Sequence, residues 1–446
     1  MNDAVSHGRS DPVSRPECLV IQGGIPLMGK VRCSGAKNAA LPILAASLLA
    51  ESPVVLERVP HLKDISTMVA LLSGMGMRVT MTDGMRLILD ANGIDRTLAP
   101  YDLVRTMRAS VLVLGPLLAR FGQACVALPG GCAIGPRPID LHIKGLEAMG
   151  ARISIADGYI NAWADDLRGA VIHLQPVSVT ATENIMMAAC LARGTTIIEQ
   201  AAQEPEVTDL ALLLRSMGAV ITGIGTNRLV IHGQRHLAGA EHRIMADRIE
   251  AGTYLVAAAM TGGAVCIQEI NPAILNAVLD TLRRAGACVE TAHNEVALAA
   301  PPGRLRPVDI ETAVYPGFPT DMQAQCMAQN AIALGSSVMV ETIFENRLQH
   351  VPELVRMGAR IQVQGNKALI QGVLRLHGQV VTATDLRASA GLVLAALAAQ
   401  GETVVRHVHH LDRGYECMEE KLAALGGKVH RVAEQSAQEE TLQAAG

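Results

Sequence analysis

The sequence predicts an α/β protein made of two inside-out globules, each of three βαβαββ repeats with helices inside and sheets outside. Three observations lead there. A glycine-centred pattern recurs six times, aliphatic strands follow turn glycines, and one class of helix has no polar face.

The pattern reads MGMRV, MGARI, MGAVI, AGACV, MGARI and LGGKV, on Gly76, Gly150, Gly218, Gly286, Gly358 and Gly426. Its spacing of about 70 residues means one supersecondary unit used six times. In each unit a turn glycine opens a strand, as in GTTIIE, GAVCIQE, GSSVMVE and GETVVRH. A helix with one apolar stripe follows, for example through Leu210, Leu213 and Leu214. It closes on the repeat glycine, which suits a left-handed C-terminal cap. Two short strands come next, then a helix that is apolar or small all round: ALPILAASLLA, GTYLVAAAM, GLVLAALAA. A helix of that kind is buried on every side.

The first turns of these inner helices read SGAKN (Lys37, Asn38), TMRAS (Arg108), TATEN (Glu183, Asn184), DRIEAG (Arg248), PTDMQ (Asp321) and DLRAS (Arg387). A cation opposes the helix dipole there unless an anion lies close by. Either each cation pairs with a neighbouring carboxylate, or the four share an anionic ligand. Recurrence in corresponding places favours the ligand.

The second unit carries a few extra residues, in LPGGCAIGPRPID. Gly130, Gly131 and Gly135 loosen this loop, while Pro136 and Pro138 direct it. Cys132 lies at its tip, outside any apolar run, with Arg137 nearby. A cation beside a thiol favours the thiolate. An inert loop cysteine is the alternative.

Composition excludes several classes. Half the residues are hydrophobic and 2% aromatic, so the core is aliphatic, and a net charge of -4 without a Lys/Arg tract gives no basis for nucleic-acid binding. The nine cysteines form no CxxC pair and no zinc spacing, which fits a reducing compartment. No apolar run approaches the ~20 residues of a membrane span, and the polar N-terminus lacks a signal-peptide core. The chain therefore reads as cytoplasmic, with residues 1–17 disordered and 434–446 a frayed tail. His407, His409 and His410 read as solvent-facing positions of an alternating strand, not as metal ligands. GGIPLMG is explained by a turn.

The segments SGAKNAALPILAASLLA, MRASVLVLGPLLARFG, LPGGCAIGPRPIDLHIKGLEAMGA, DRIEAGTYLVAAA, FPTDMQAQ, ETIFENRLQHVPEL, DLRASAGLVLAAL and HHLDRGYE closely resemble the UDP-N-acetylglucosamine 1-carboxyvinyltransferases of the enolpyruvyl transferase family. The resemblance runs from about residue 18 to 430. It implies transfer of the enolpyruvyl group of phosphoenolpyruvate to the 3-hydroxyl of UDP-N-acetylglucosamine, the first committed step of peptidoglycan synthesis. Neither a metal nor an organic cofactor is implied, nor any membrane insertion. The sister family, 5-enolpyruvylshikimate-3-phosphate synthase, lacks the cysteine loop. The resemblance further implies a discontinuous domain of residues 18–36 and 246–433, and a second domain of residues 37–245 carrying the Cys132 lid.

Residue roles follow from the same resemblance. Cys132 would protonate the methylene carbon of phosphoenolpyruvate, and the epoxide fosfomycin would alkylate it. Asp321 would be the base near the sugar hydroxyl. Lys37, Arg108, Arg137 and Arg413 would surround the phosphate, and Arg347, Arg387 and Arg413 the carboxylate. Asn38 and Asp321 would contact the sugar, with Ile343 also in the substrate site. Arg137, Pro138, Ile139, Asp140 and Leu141 would embrace the uracil, and Ser178, Val179 and Thr180 the diphosphate. Thr180 departs from the Gly of some members, and Pro136 from the more common Ala.

Overall fold

Six four-stranded sheets share one strand order, and a single unit shows how it arises. The computed structural model describes residues 17–82, 84–105, 107–128 and 139–434. The short strand Val171–His173 lies parallel to Thr195–Glu199, with Val171 opposite Ile197. Thr195–Glu199 pairs antiparallel with Arg228–His232, which pairs antiparallel with Val220–Thr222. The short strand is the first of the βαβαββ unit; its position could not be located in the sequence because two or three residues, as in Leu98–Ala99 or Ile310–Glu311, are too few to show a period.

Chain closure makes two sets of three sheets. Glu241–Arg243 pairs with Val54–Glu57, completing the sheet that opened the first set. Glu17–Gln22 inserts between Glu402–Arg406 and Lys428–Ala433, so the second set is closed by the N-terminal strand. Each set encloses its own apolar core. One core runs from Ala36 to Ile244; the other joins Leu19 to Cys33 with Ala246 to Val429.

The cores are filled by six inner helices: α1 (Lys37–Ala46), α2 (Leu114–Phe121), α3 (Val179–Ala189), α4 (Arg248–Thr261), α5 (Gln323–Ala331) and α6 (Leu386–Ala398). Every residue of α5 is buried, as is every residue of α6 from Arg387 to Leu397. Small side chains suit this arrangement, because helices surrounded by other elements must approach closely. Tight 3₁₀ turns, Arg108–Val113 and Thr320–Met322, precede α2 and α5. One sequence expectation shifts: α3 begins at Val179, so Glu183 and Asn184 lie in its second turn.

The repeat glycines cap the outer helices as expected. Their φ angles run from 90° at Gly426 to 106° at Gly218. In every unit the residue after the glycine closes a six-to-one bond, for example Ala219 N–H to Leu214 O at 2.9 Å and Ala287 N–H to Leu282 O at 3.0 Å.

Two further expectations are corrected or refined. His409 and His410 lie in the 3₁₀ turn Val408–Arg413, with His407 just before it, because His407 adopts φ 59° and ends the strand Glu402–Arg406. Among the described cysteines, Cys18, Cys33, Cys190 and Cys326 are buried, whereas Cys288 and Cys417 are exposed. Burial pushes the Cys190 and Cys326 thiols up to about 12, leaving them inert at neutral pH. No helix among the described residues is long and apolar enough to cross a membrane.

The glycine caps are testable. A Cβ on Gly218 meets nothing within 4 Å, so Gly218→Ala carries backbone strain alone and should lower the unfolding free energy by about 1–2 kcal/mol. A Cβ on Gly233 would lie 1.5 Å from the Ala192 carbonyl oxygen, so Gly233→Ala should cost clearly more. Denaturant titration of both variants checks the order.

Candidate active site

Two carboxylates gather the cations that the sequence singled out. Asp321 lies in the turn leading into α5, and its two oxygens face different partners. Oδ1 accepts from Arg347 Nη2 at 2.9 Å, and Oδ2 accepts from Arg387 Nη2 at 3.1 Å and from Asn38 Nδ2 at 3.4 Å. The arginine side chains are 4% and 2% exposed, while Asp321 keeps 24% of its side chain open. The aspartate is thus the solvent-reachable end of a buried cationic pair.

Asp64 is the second hub. Its Oδ2 lies 3.2 Å from Lys37 Nζ, and its Oδ1 accepts from Arg413 Nε at 2.9 Å. Lys37 sits in the first turn of α1, and Arg413 ends the turn Val408–Arg413 in the other globule. Asp64 escaped the sequence reading. It opens the outer helix Lys63–Gly74, where an acidic residue is explained by the helix dipole, so no local signal marks it.

The electrostatics follow from burial and pairing. Burial alone would raise the Asp64 carboxyl, but Lys37 and Arg413 outweigh it and hold the group below its ordinary value. Burial draws the Lys37 ammonium below its usual range, with Asp64 opposing. Burial opposes the charge on Arg387 as well, yet Asp321 reverses that and the guanidinium stays protonated.

A polar layer beneath α5 holds the hub. Gln325 Nε2 donates to the Asp321 carbonyl, to Thr253 Oγ1 and to the Tyr415 hydroxyl, each at 3.0 Å. The Arg387 guanidinium stacks over the Tyr415 ring, 5.4 Å from its centroid. Glu341 accepts from Thr312 and Thr320 and from the backbone N–H groups of Ile343 and Phe344, which sets Ile343 at the surface. Thr253, Gln325, Glu341 and Tyr415 were invisible in sequence, since each sits in a run that packing alone explains.

The remaining expected residues are more dispersed. Arg108 is half-buried at the head of its 3₁₀ turn. Ile139, Asp140 and Leu141 start the helix Asp140–Ala148, and Asp140 pairs with Lys144 at 3.4 Å. Ser178 caps α3, its Oγ accepting from Ala181 N–H at 3.3 Å, with Val179 and Thr180 in the first turn. Arg248 pairs with Glu206 at 2.9 Å, so a protein carboxylate accounts for this cation. Cys132, Arg137 and Pro138 lie outside the described residues. No group of three or more His, Cys, Asp or Glu among the described residues could hold a metal.

The EPSP synthase (3-phosphoshikimate 1-carboxyvinyltransferase) family profile matches residues 21–422. The UDP-N-acetylglucosamine 1-carboxyvinyltransferases of two Coxiella burnetii strains, Dugway 5J108-111 and RSA 493, are each 57% identical over 93% of this chain and 96% of theirs. The chain belongs to the enolpyruvyl transferase family. Among solved structures, the enolpyruvyl transferase NikO from Streptomyces tendae superposes with a TM-score of 0.85 at 28% identity, covering 94% of this chain and 99% of that one. An EPSP synthase from Acinetobacter baumannii, at 18% identity and a TM-score of 0.72, covers 94% of this chain and 100% of its own and shows the shared fold alone. These enolpyruvyl transferases agree with the two-globule architecture read from the repeats.

The Asp64 hub gives a pH prediction. Its native carboxyl is depressed, so it adds stability above about pH 4, the ordinary unfolded value, and loses that contribution as pH falls through the lower native value. Asp64→Asn leaves Lys37 and Arg413 without their counter-charge and should destabilise by about 3–5 kcal/mol at neutral pH. The gap between variant and wild type should narrow below about pH 4, as chemical denaturation across that range would show.

Proposed function

We propose that this enolpyruvyl transferase moves the enolpyruvyl group of phosphoenolpyruvate to the 3-hydroxyl of UDP-N-acetylglucosamine and releases phosphate, serving peptidoglycan synthesis in the cytoplasm. The observation that carries the reading is the cation-ringed Asp321, in a chain 57% identical to UDP-N-acetylglucosamine 1-carboxyvinyltransferases.

The chemistry asks for these residue types. In the addition step the sugar oxygen bonds to the central carbon of the enol phosphate, losing its proton to a base, while the methylene carbon gains a proton from an acid. Asp321 takes the base role and contacts the sugar together with Asn38; Cys132 takes the acid role. In the elimination step the bond from that carbon to the phosphate oxygen breaks and the methyl carbon returns a proton, restoring the double bond. Phosphate leaves against Lys37, Arg108, Arg137 and Arg413. Arg347, Arg387 and Arg413 bind the carboxylate, where paired guanidinium groups match its planar geometry. Ile139, Asp140 and Leu141, with Arg137 and Pro138, hold the uracil, Ser178, Val179 and Thr180 hold the diphosphate, and Ile343 belongs to the substrate site.

Residues 18–36 with 246–433, and 37–245, are taken as the two domains. Separate apolar cores support this division. Contacts that cross between them, Arg413 to Asp64 and Asn38 to Asp321, support a site that closes around its substrates. The Cys132 loop is then its lid, excluding water.

Phosphate release from phosphoenolpyruvate, measured with UDP-N-acetylglucosamine, shikimate 3-phosphate and UMP as parallel acceptors, tests the function. Release is expected with the nucleotide sugar alone and should fall at least a hundredfold in Cys132→Ala. Release with a different acceptor would overturn the substrate assignment. Mass spectrometry after fosfomycin treatment should find the adduct on Cys132.

A further inference from the structure

A buried hydrogen-bond chain ends at the first turn of α3 and runs in a single direction. Gly115 N–H donates to Asn184 Oδ1 at 2.7 Å, which fixes the amide's orientation. Asn184 Nδ2 therefore faces Val111 O at 3.0 Å and His142 Nδ1 at 2.9 Å, donating to both. An amide NH₂ can only donate, so His142 Nδ1 must accept and carries no proton. The neutral ring then bears its hydrogen on Nε2, which lies 3.3 Å from Thr180 Oγ1. The Thr180 oxygen accepts that bond.

The threonine's own proton remains to be placed. Thr182 donates to the Ser178 carbonyl at 2.8 Å, but among the described residues Thr180 has no such acceptor. Thr180 is partly exposed, whereas His142 and Asn184 are buried. Its O–H thus points outward, on the turn whose N–H groups also lack helical acceptors.

We propose that the Thr180 hydroxyl donates to the diphosphate of the nucleotide sugar, and that His142 is the residue that positions it, with Asn184 setting the tautomer. The inference rests on the assignment of Ser178, Val179 and Thr180 to the diphosphate. It adds a side-chain donor and a buried relay to that turn. Burial lowers His142 to about 4, so the ring stays neutral and the relay keeps one direction across the working pH range. Close approach of the parts supports a built arrangement: a Cβ on Gly115 would lie 2.4 Å from Asn184 Oδ1, so only glycine admits the contact.

The test uses calorimetric titration of the whole enzyme with UDP and with uridine. Thr180→Val should weaken UDP about tenfold, the value of a charge-assisted hydrogen bond, and leave uridine within about twofold. Thr180→Ser should restore UDP binding. His142→Asn should weaken UDP in the Thr180 background and add nothing in the Thr180→Val background, because its effect passes through that hydroxyl. Thermal melting identifies any variant that fails to fold, and the Thr180 pair decides if His142→Asn does so. Unchanged UDP affinity in Thr180→Val, or a His142→Asn loss equal in both backgrounds, overturns the proposal. Wild-type turnover with the nucleotide sugar tests the acceptor assignment separately.

Discussion

Burying a guanidinium or ammonium group away from water costs several kcal/mol unless a counter-charge and hydrogen bonds accompany it. Lys37, Arg347 and Arg387 are 6%, 4% and 2% exposed. Asp64 and Asp321 make that burial tolerable, and much of the candidate active site depends on them. Each aspartate receives partners from separate parts of the chain: Lys37 and Arg413 at Asp64, Asn38, Arg347 and Arg387 at Asp321. The cations are thereby kept charged and pointed at one place. Anionic substrates at the proposed site would meet donors already oriented, which is the arrangement that electrostatic catalysis requires.

The inside-out fold explains how so many charged groups come to lie at the edge of apolar cores. The inner helices are buried along most of their length, and several of their charged residues lie in their first turns. Lys37, Arg248 and Arg387 all occupy such positions. The contacts of Asn38 with Asp321 and of Arg248 with Glu206 place the starts of α1 and α4 where the two globules meet. Arg248 shows that the position alone does not decide the role. Glu206 pairs with it at 2.9 Å, and Tyr315 stacks against it. That pair links the two cores, as do the bonds from Arg413 to Asp64 and from Asn38 to Asp321. Its buried charges make it a structural tie between globules rather than a substrate contact.

The polar relay through Gly115, Asn184, His142 and Thr180 obeys the same economy within one globule. His142, buried and neutral, finds partners for both ring nitrogens. Satisfying it fixes the tautomer, and the tautomer fixes the direction of a hydroxyl at a helix start. A stability requirement thus becomes an orientation at the surface.

Much of this was legible in the sequence. Six glycines at one period determined the unit, since a left-handed cap after each outer helix accepts little else, and all six take positive φ. Helices without a polar face determined that they lie inside. The same helix starts named Lys37, Asp321 and Arg387. What the sequence could not determine was pairing. Asp64 reads as an ordinary helix-start acid, and only the fold brings it, across hundreds of residues, within 2.9 Å of Arg413. His142, Gln325 and Tyr415 sit in runs that burial alone explains, and their hydrogen bonds join segments far apart in the chain. The histidine triplet was misplaced in a strand because one left-handed residue, His407, ended it early. Local periodicity is set by neighbours in sequence, so the sequence determined the elements and their faces. Which charges meet is set by neighbours in space, and only the tertiary structure decided that.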